Sequence, residues 1–199
     1  MILLVLTMLV LIIIGMPVAF ALGVGALGAL LAEPSLPITL VPQRMFTALD
    51  SWPIMAVPLF MLAGGLMDKG GMSRRIVEFA SACLCFVRGS LGMVTVMASM
   101  LFAGISGSST ADTAAVGSIM LPAMRSRGYD MRFATALQAA AGAIGPVIPP
   151  SILMIVIGYV TGTSVAQLFL AGVVPGVLIG LGLMVIAYRQ ALKEGPDFD

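Results

Sequence analysis

The sequence predicts an all-α integral membrane protein, and three observations carry that prediction. Of the 199 residues, 60% are hydrophobic and only 10% charged, with a mean hydropathy of +1.12, whereas a soluble domain carries about 25% charged residues. Two long stretches, Met1 to Ala32 and Phe133 to Tyr188, contain no charged side chain at all. Between Arg88 and Arg125 the only ionisable residue is Asp112, set in the polar run Ser106-Gly107-Ser108-Ser109-Thr110-Ala111-Asp112. Irregular backbone at membrane depth survives only where protein or a water-filled cavity satisfies its polar groups, so this knot is the first candidate site. A net charge of +1, with basic residues confined to a few short clusters, gives no basis for nucleic-acid binding. With no histidine in the chain, His-based metal sites and His-dependent triads are excluded. Cys83 and Cys85 lie two apart, which on a helix points them to different faces, and they read as small hydrophobes.

Residues 1–90 read as scaffold-like membrane helices followed by an amphipathic helix. Met1 to Ala32 is too long for one untilted crossing and is broken by Gly15 and Pro17, giving two short or kinked helices. Glu33 to Asp50, with Pro34, Pro37, Pro42 and Arg44, is a polar connection with a short interfacial turn around Arg44 to Leu49. An apolar helix follows from about Trp52 to Met67, with Trp52 as an interface anchor. Asp68-Lys69-Gly70-Gly71 closes it, and Ser73 is placed to cap the next helix by accepting a backbone N–H. From about 72 to 88 the pattern turns amphipathic: Ile76, Phe79, Ala80, Cys83 and Val87 recur at helical spacing against Arg74, Arg75, Glu78 and Ser81. Such a helix is expected along the membrane interface.

Residues 91–199 read as a transport-type region. The apolar arms Leu91 to Ile105 and Ala111 to Met124 each hold about 15 residues against the roughly 20 needed to span. Neither crosses alone, and Arg88 and the Arg125/Arg127/Arg132 cluster both ask for the cytoplasmic side. Together these predict a re-entrant hairpin over about 91–125 whose tip reaches mid-membrane near Ser106 to Thr110. Next, Gly145-Pro146-Val147-Ile148-Pro149-Pro150 cannot continue a helix, because each proline lacks an N–H and clashes with the preceding turn. The prediction is a broken helix over about 131–160, with halves at Met131 to Ile144 and Ser151 to Tyr159. A last membrane helix runs over about 165–188, with Gly172, Gly176 and Gly180 spaced by four for close packing.

A hydroxyl-rich hairpin tip and a proline-broken helix are the devices with which secondary transporters hold substrate and coupling ions. Half-helix N-termini favour anionic groups, and freed carbonyls and hydroxyls suit a hard cation such as Na⁺. The candidate Na⁺ region is therefore Ser106, Gly107, Ser108 and Asp112 with Gly145, Pro146, Val147 and Ile148. Asp112 reads equally as a cation ligand, a protonatable relay or a cap on the second arm. An intramembrane hydrolase is disfavoured, since no histidine and no G-x-S-x-G accompany Ser108 or Ser109.

Several stretches resemble one family: PLFMLAGGLMDKGGMSRRI at Pro58 to Ile76, LFAGISGSSTADTAAVGSIMLPAM at Leu101 to Met124, GYD at Gly128 to Asp130, GPVIPPS at Gly145 to Ser151 and LFLAGVVPG at Leu168 to Gly176. In order and spacing they resemble the large membrane subunit of the TRAP (tripartite ATP-independent periplasmic) transporters. The resemblance implies one inverted-repeat half of an elevator-type transporter, a Na⁺-coupled importer of organic anions in the bacterial inner membrane, with no cofactor beyond the coupling ion. It implies a small membrane subunit, a periplasmic substrate-binding protein and the second half of the large subunit as partners. It also carries substrate binding onto Ser108, Ser109, Thr110, Pro149 and Pro150. Two alternatives stay open at this point: an inactive half-subunit or fragment with a structural role, and an ion channel lined by the polar hairpin.

Overall fold

The computed structural model describes residues 2–32, 37–87 and 89–194, and among them every regular element is an α-helix. Arg88, Glu33 and Pro34, all used in the sequence argument, lie outside the described residues. The chain divides into two compact units, Met1–Ser51 and Trp52–Asp199.

In the first unit, α1 (Ile2–Ile13) and α2 (Val18–Leu31) pack on each other. The turn between them follows from Gly15, which at φ 93° takes the left-handed conformation that glycine adopts freely. It lets the Gly15 and Met16 amides reach back to the carbonyls of Ile12 (2.9 Å) and Leu11 (3.0 Å), closing α1. Pro17 then starts α2. A Cβ at Gly25 would stand 3.4 Å from the Leu4 carbonyl and 3.6 Å from Met8 Cβ, so the two helices run antiparallel. The polar connection holds a helix, α3 (Leu40–Leu49), longer than the turn expected there. Pro42 sits in its first turn, where its missing N–H costs no hydrogen bond.

The second unit begins with α4 (Trp52–Lys69), which Gly70 and Gly71 end. Here one expectation is corrected. Gly71, at φ 78°, feeds the chain directly into α5 (Met72–Leu84), so Ser73 lies inside the first turn rather than at the cap. Its hydroxyl donates to the Asp68 carboxylate instead of accepting a backbone N–H. The buried face of α5 is Ser73, Ile76, Val77 and Ala80; Phe79 is 57% exposed and Cys83 is exposed, so neither belongs to it.

That face packs on α6 (Ser90–Ser106) and α7 (Ser109–Ser126) through Val94, Ala98, Phe102, Val116 and Met120. The two helices form an antiparallel hairpin, because Thr95 Oγ1 lies 3.6 Å from Met124 Sδ at one end while Ser106 meets Asp112 at the other. Gly128 closes α7 in the same way as Gly15 closes α1: its amide and that of Tyr129 reach the Arg125 and Met124 carbonyls, each at 3.1 Å. Asp130 caps α8 (Met131–Gly142) by accepting the Arg132 amide at 3.0 Å. A turn segment leads to α9 (Ile152–Thr161), and α10 (Val165–Glu194) follows.

Glycines set how α10 lies on the rest. A Cβ at Gly89 would collide with Ala191, one at Gly92 would lie 3.2 Å from Ala187 Cβ, and one at Gly180 would strike Met100. The stripe foreseen for packing thus packs, with α10 antiparallel to α6. At Gly176 a Cβ would be 2.6 Å from Ile148 Cγ1, so the segment between α8 and α9 sits against the middle of α10. From Ala191 to Gly176 is about 22 Å of a 30-residue helix about 45 Å long. Among the described residues α10 is also the one single helix long and apolar enough to cross a membrane.

Candidate functional site

The site forms where the α6–α7 tip meets the α8–α9 break. Gly107, at φ 60°, ends α6 by donating to the Ala103 carbonyl at 3.0 Å, and Ser108 is extended and starts α7. That two-residue reversal brings Ser106 over the first turn of α7. The Ser106 hydroxyl donates to Asp112 Oδ1, and the Ser108 amide donates to Ser106 Oγ at 3.1 Å. Ser108 and Thr110 pair through their hydroxyls at 3.2 Å. Asp112 is fully buried, and its second oxygen, Oδ2, has no hydrogen-bond partner among the described residues. Burying a charged oxygen without a partner is costly.

The break supplies what Oδ2 faces. A Cβ at Gly145 would overlap that oxygen and lie 3.1 Å from the Ser109 amide nitrogen. Only a glycine leaves this space open. The chain turns tightly from Gly142, with Val147 and Ile148 both donating to the Ile144 carbonyl at 2.8 and 3.1 Å. Pro149 and Pro150, joined by a cis peptide bond, complete it. The buried Ser151 then caps α9 by accepting the Met154 amide at 3.3 Å. Among the described residues no hydrogen bond reaches the carbonyls of Gly145, Pro146, Val147 or Ile148. Asp112 Oδ2, an unpartnered carboxylate oxygen facing Gly145 of the break, is a hard donor of the kind that fits a Na⁺ ion.

Tip and break are joined directly. The Ile152 amide donates to the Gly107 carbonyl at 3.4 Å, and a Cβ at Gly107 would stand 2.6 Å from the Pro150 carbonyl. The structure therefore brings together Ser106, Gly107, Ser108, Ser109, Asp112, Gly145 and Pro150. Thr110 hangs on the edge through Ser108, and a Cβ at Gly104 would stand 3.7 Å from the Pro149 carbonyl. Val147 points its carbonyl at Gly172 of α10, and the Ile148 side chain lies on Gly176, so their surroundings are shared with α10. Pro146 sits between these two groups in the turn.

Beside the tip lies a cavity of about 390 Å³ between α4, the hairpin and α9, lined among others by Phe60, Asp68, Phe102, Ser106, Ser108 and Ser118. Sequence reasoning missed Asp68 and Ser151 as site residues. Ser151 carried the signal of a serine directly before an apolar helical run; Asp68 carried that of an acid in the last turn of a helix, where the dipole disfavours it.

Among the described residues every regular element is a helix, with a polar hairpin tip docked on a break between helices, an architecture that fits a membrane protein. The family described as "Tripartite ATP-independent periplasmic transporter, DctM component" matches residues 5–197, and the chain belongs to it. It is 46% identical to the isethionate TRAP transporter permease protein DctMQ of Oleidesulfovibrio alaskensis, over 92% of this chain and 29% of that protein. It is 42% identical to the sialic acid TRAP transporter large permease protein SiaM of Vibrio cholerae, over 91% of this chain and 42% of the relative. The C4-dicarboxylate TRAP transporter large permease protein DctM of Pseudomonas aeruginosa is 45% identical over 84% of this chain and 39% of its own length. The chain thus spans less than half the length of each.

Proposed function

We propose that this chain forms part of the large membrane subunit of a Na⁺-coupled importer of organic anions, fed by a periplasmic substrate-binding protein. The observation that carries the reading is Asp112: a buried carboxylate with one oxygen engaged by Ser106 and the other open toward Gly145. Na⁺ held by Asp112, by carbonyls of Gly145 to Ile148 and by the Ser106 and Ser108 hydroxyls would offset that buried charge. Loading the ion ties tip to break. The amides of the first α7 turn, at Ser109 and Thr110, favour a substrate carboxylate, with Ser108, Pro149 and Pro150 around it. Membership of the family supports transport, and the names of the relatives, for isethionate, sialic acid and C4-dicarboxylates, support the organic-anion class.

Within the membrane the hairpin reads as re-entrant. In support, Gly89, Tyr129 and Ala191 cluster at the end of the bundle where Arg125, Arg127, Arg132, Arg189 and Lys193 gather, and the α8–α9 break on which the tip docks lies against α10 near its midpoint. If α10 spans the bilayer, the tip stands near its centre. The proposal extends to the bacterial inner membrane, an elevator-type movement and the remainder of the large subunit, and to a small membrane subunit, which the tripartite make-up of the family supports. Single cysteines replacing Arg88 and Arg125 are expected to react with a membrane-impermeant maleimide from the cytoplasmic side alone. Labelling of the two positions from opposite sides would mean that the arms do not return to one face, and would overturn the re-entrant hairpin.

The function itself is tested in proteoliposomes holding a complete tripartite transporter that includes this chain. Saturable uptake that requires an inward Na⁺ gradient is expected, and Ser106→Ala or Ser108→Ala should raise the Na⁺ concentration for half-maximal rate several-fold. Ohmic conductance would establish a channel, and uptake indifferent to Na⁺ would remove the ion from the mechanism.

A further inference from the structure

We infer that the open groove between α7 and α8 receives a membrane helix from the remainder of the large subunit, and that this helix supplies a hydrogen-bond donor to Gln138. The inference rests on the reading that the chain is one part of a longer large subunit, and it adds where the other part docks. Helices α1, α2, α4, α9 and α10 all expose large hydrophobic side chains, as helices in contact with lipid tails can, whereas between Leu101 and Leu153 no large hydrophobic side chain is exposed among the described residues. On α7 the exposed positions Thr110, Ala114, Ser118 and Pro122 fall four apart, and on α8 the exposed Thr135, Ala139 and Ala143 do the same. Small residues in rows of this spacing let another helix approach closely. Between the rows runs a groove of two adjoining pockets, about 420 and 550 Å³, which share Thr113 and Ala114. From Thr110 to Pro122 it follows α7 for about 18 Å.

Gln138 shows what the groove lacks. Its side chain is 1% exposed, lies over Gly117 of α7, where a Cβ would stand 3.2 Å from Gln138 Cγ, and lines the groove. Nε2 donates to the Thr113 carbonyl at 3.4 Å, while Oε1 has no partner among the described residues. The hydroxyls nearby cannot serve it, since those of Thr113, Ser118 and Thr135 donate to carbonyls of their own helices. Pro122, inside α7, also has no N–H to offer the Ser118 carbonyl one turn earlier. This stretch of the groove therefore asks for donors. Lipid tails supply none, and an amide oxygen left unpaired in hydrocarbon is costly. A helix carrying a serine, threonine, asparagine or glutamine among small residues answers both the shape and the chemistry. More than half the length of each relative lies outside its match to this chain, which leaves ample further chain in a subunit of this family to fill the groove. The groove opens at Ser109 and Thr110, at the start of α7, and Gly145 approaches the Ser109 amide there. A helix seated in it borders the candidate ion site, a place that suits a segment of the same subunit.

The test is photo-crosslinking in the complete transporter containing this chain, in proteoliposomes, with p-benzoylphenylalanine in place of Thr135 on the rim of the groove. Mass spectrometry of the adduct is expected to find a peptide from the remainder of the large subunit, within one helical turn of a side chain that bears an N–H or O–H. An adduct segment with no such side chain overturns the role given to Gln138. Adducts to lipid alone, to the small membrane subunit, to residues 1–51 of this chain or to a second copy of it overturn the docking surface. A second measurement needs no probe: Ala139→Phe and Ser118→Phe should each lower the melting temperature of the complete transporter by several degrees and its uptake several-fold. Phenylalanine is at home in lipid, so melting and uptake unchanged in both variants also overturn the surface. Na⁺-driven uptake by the unsubstituted transporter in the same membranes reports separately on the proposed function. Its presence alongside a failed crosslink spares that function, and its absence overturns the reading on which the docking surface rests.

Discussion

A valine in place of Gly107 is expected to destabilise the chain by about 2–5 kcal/mol and to remove its response to Na⁺. Two costs add. Gly107 has φ 60°, the left-handed region, where a side chain costs about 1–2 kcal/mol. Its Cβ would also stand 2.6 Å from the Pro150 carbonyl oxygen and 3.2 Å from Ser151 Cα, and these are backbone atoms that cannot swing away. Overfilling so tight a contact costs about 1–3 kcal/mol. Relief comes only by moving tip from break, which breaks the bond from the Ile152 amide to the Gly107 carbonyl and opens the space between Asp112 and Gly145. Gly182→Val is the control, since nothing lies within 4 Å of a Cβ there. Circular dichroism melts in detergent, with and without Na⁺, provide the measurement. A Gly107→Val chain that melts with the control and still gains stability from Na⁺ would show that tip and break do not act as one site.

The tip was legible because hydroxyls, glycine and a lone acid stand out against hydrocarbon. Its ends were less so: the arms expected at Leu91 to Ile105 and Ala111 to Met124 fold as Ser90–Ser106 and Ser109–Ser126. Ser109 and Thr110 look like loop residues by composition, yet Ser108 starts the helix and both fall inside it. The halves of the broken helix were placed within about two residues, since a Gly-Pro and a Pro-Pro pair leave a helix few alternatives. What local pattern does not encode is which irregular points meet. The approach of Gly107 to Pro150, and of Gly145 to Asp112, depends on how α6, α7 and α8 fold back on one another. The face of α5 was misjudged for a related reason. Val77 and Phe79 are equally apolar, and only the position of the hairpin decides that Val77 is covered and Phe79 left out.

Asp112→Asn is expected to have opposite effects with and without Na⁺, and that sign change separates its two possible roles. In the folded chain the carboxylate is fully buried, with Oδ1 accepting the Ser106 hydroxyl and Oδ2 unpartnered among the described residues. Taking a charge out of water costs several kcal/mol unless it is compensated. Asparagine keeps an acceptor for Ser106 and discards the charge. In choline chloride, therefore, the variant should melt at or above the wild-type temperature. In NaCl the wild type should gain stability, by about 2.7 kcal/mol when Na⁺ is present at a hundred times its dissociation constant. The variant, lacking its one anionic ligand, should bind Na⁺ at least tenfold more weakly, a loss of about 1.4 kcal/mol. About half or more of the Na⁺-dependent rise then disappears at the same concentration. A carboxylate that merely sits at the start of α7 for the sake of the helix dipole predicts something else: a loss of about 0.3–1 kcal/mol, equal in both salts. Paired melts at constant ionic strength measure the difference directly. A full Na⁺-dependent rise in Asp112→Asn would assign the residue to the helix end and leave the unbonded carbonyls of Gly145 to Ile148 as the place to look for the ion.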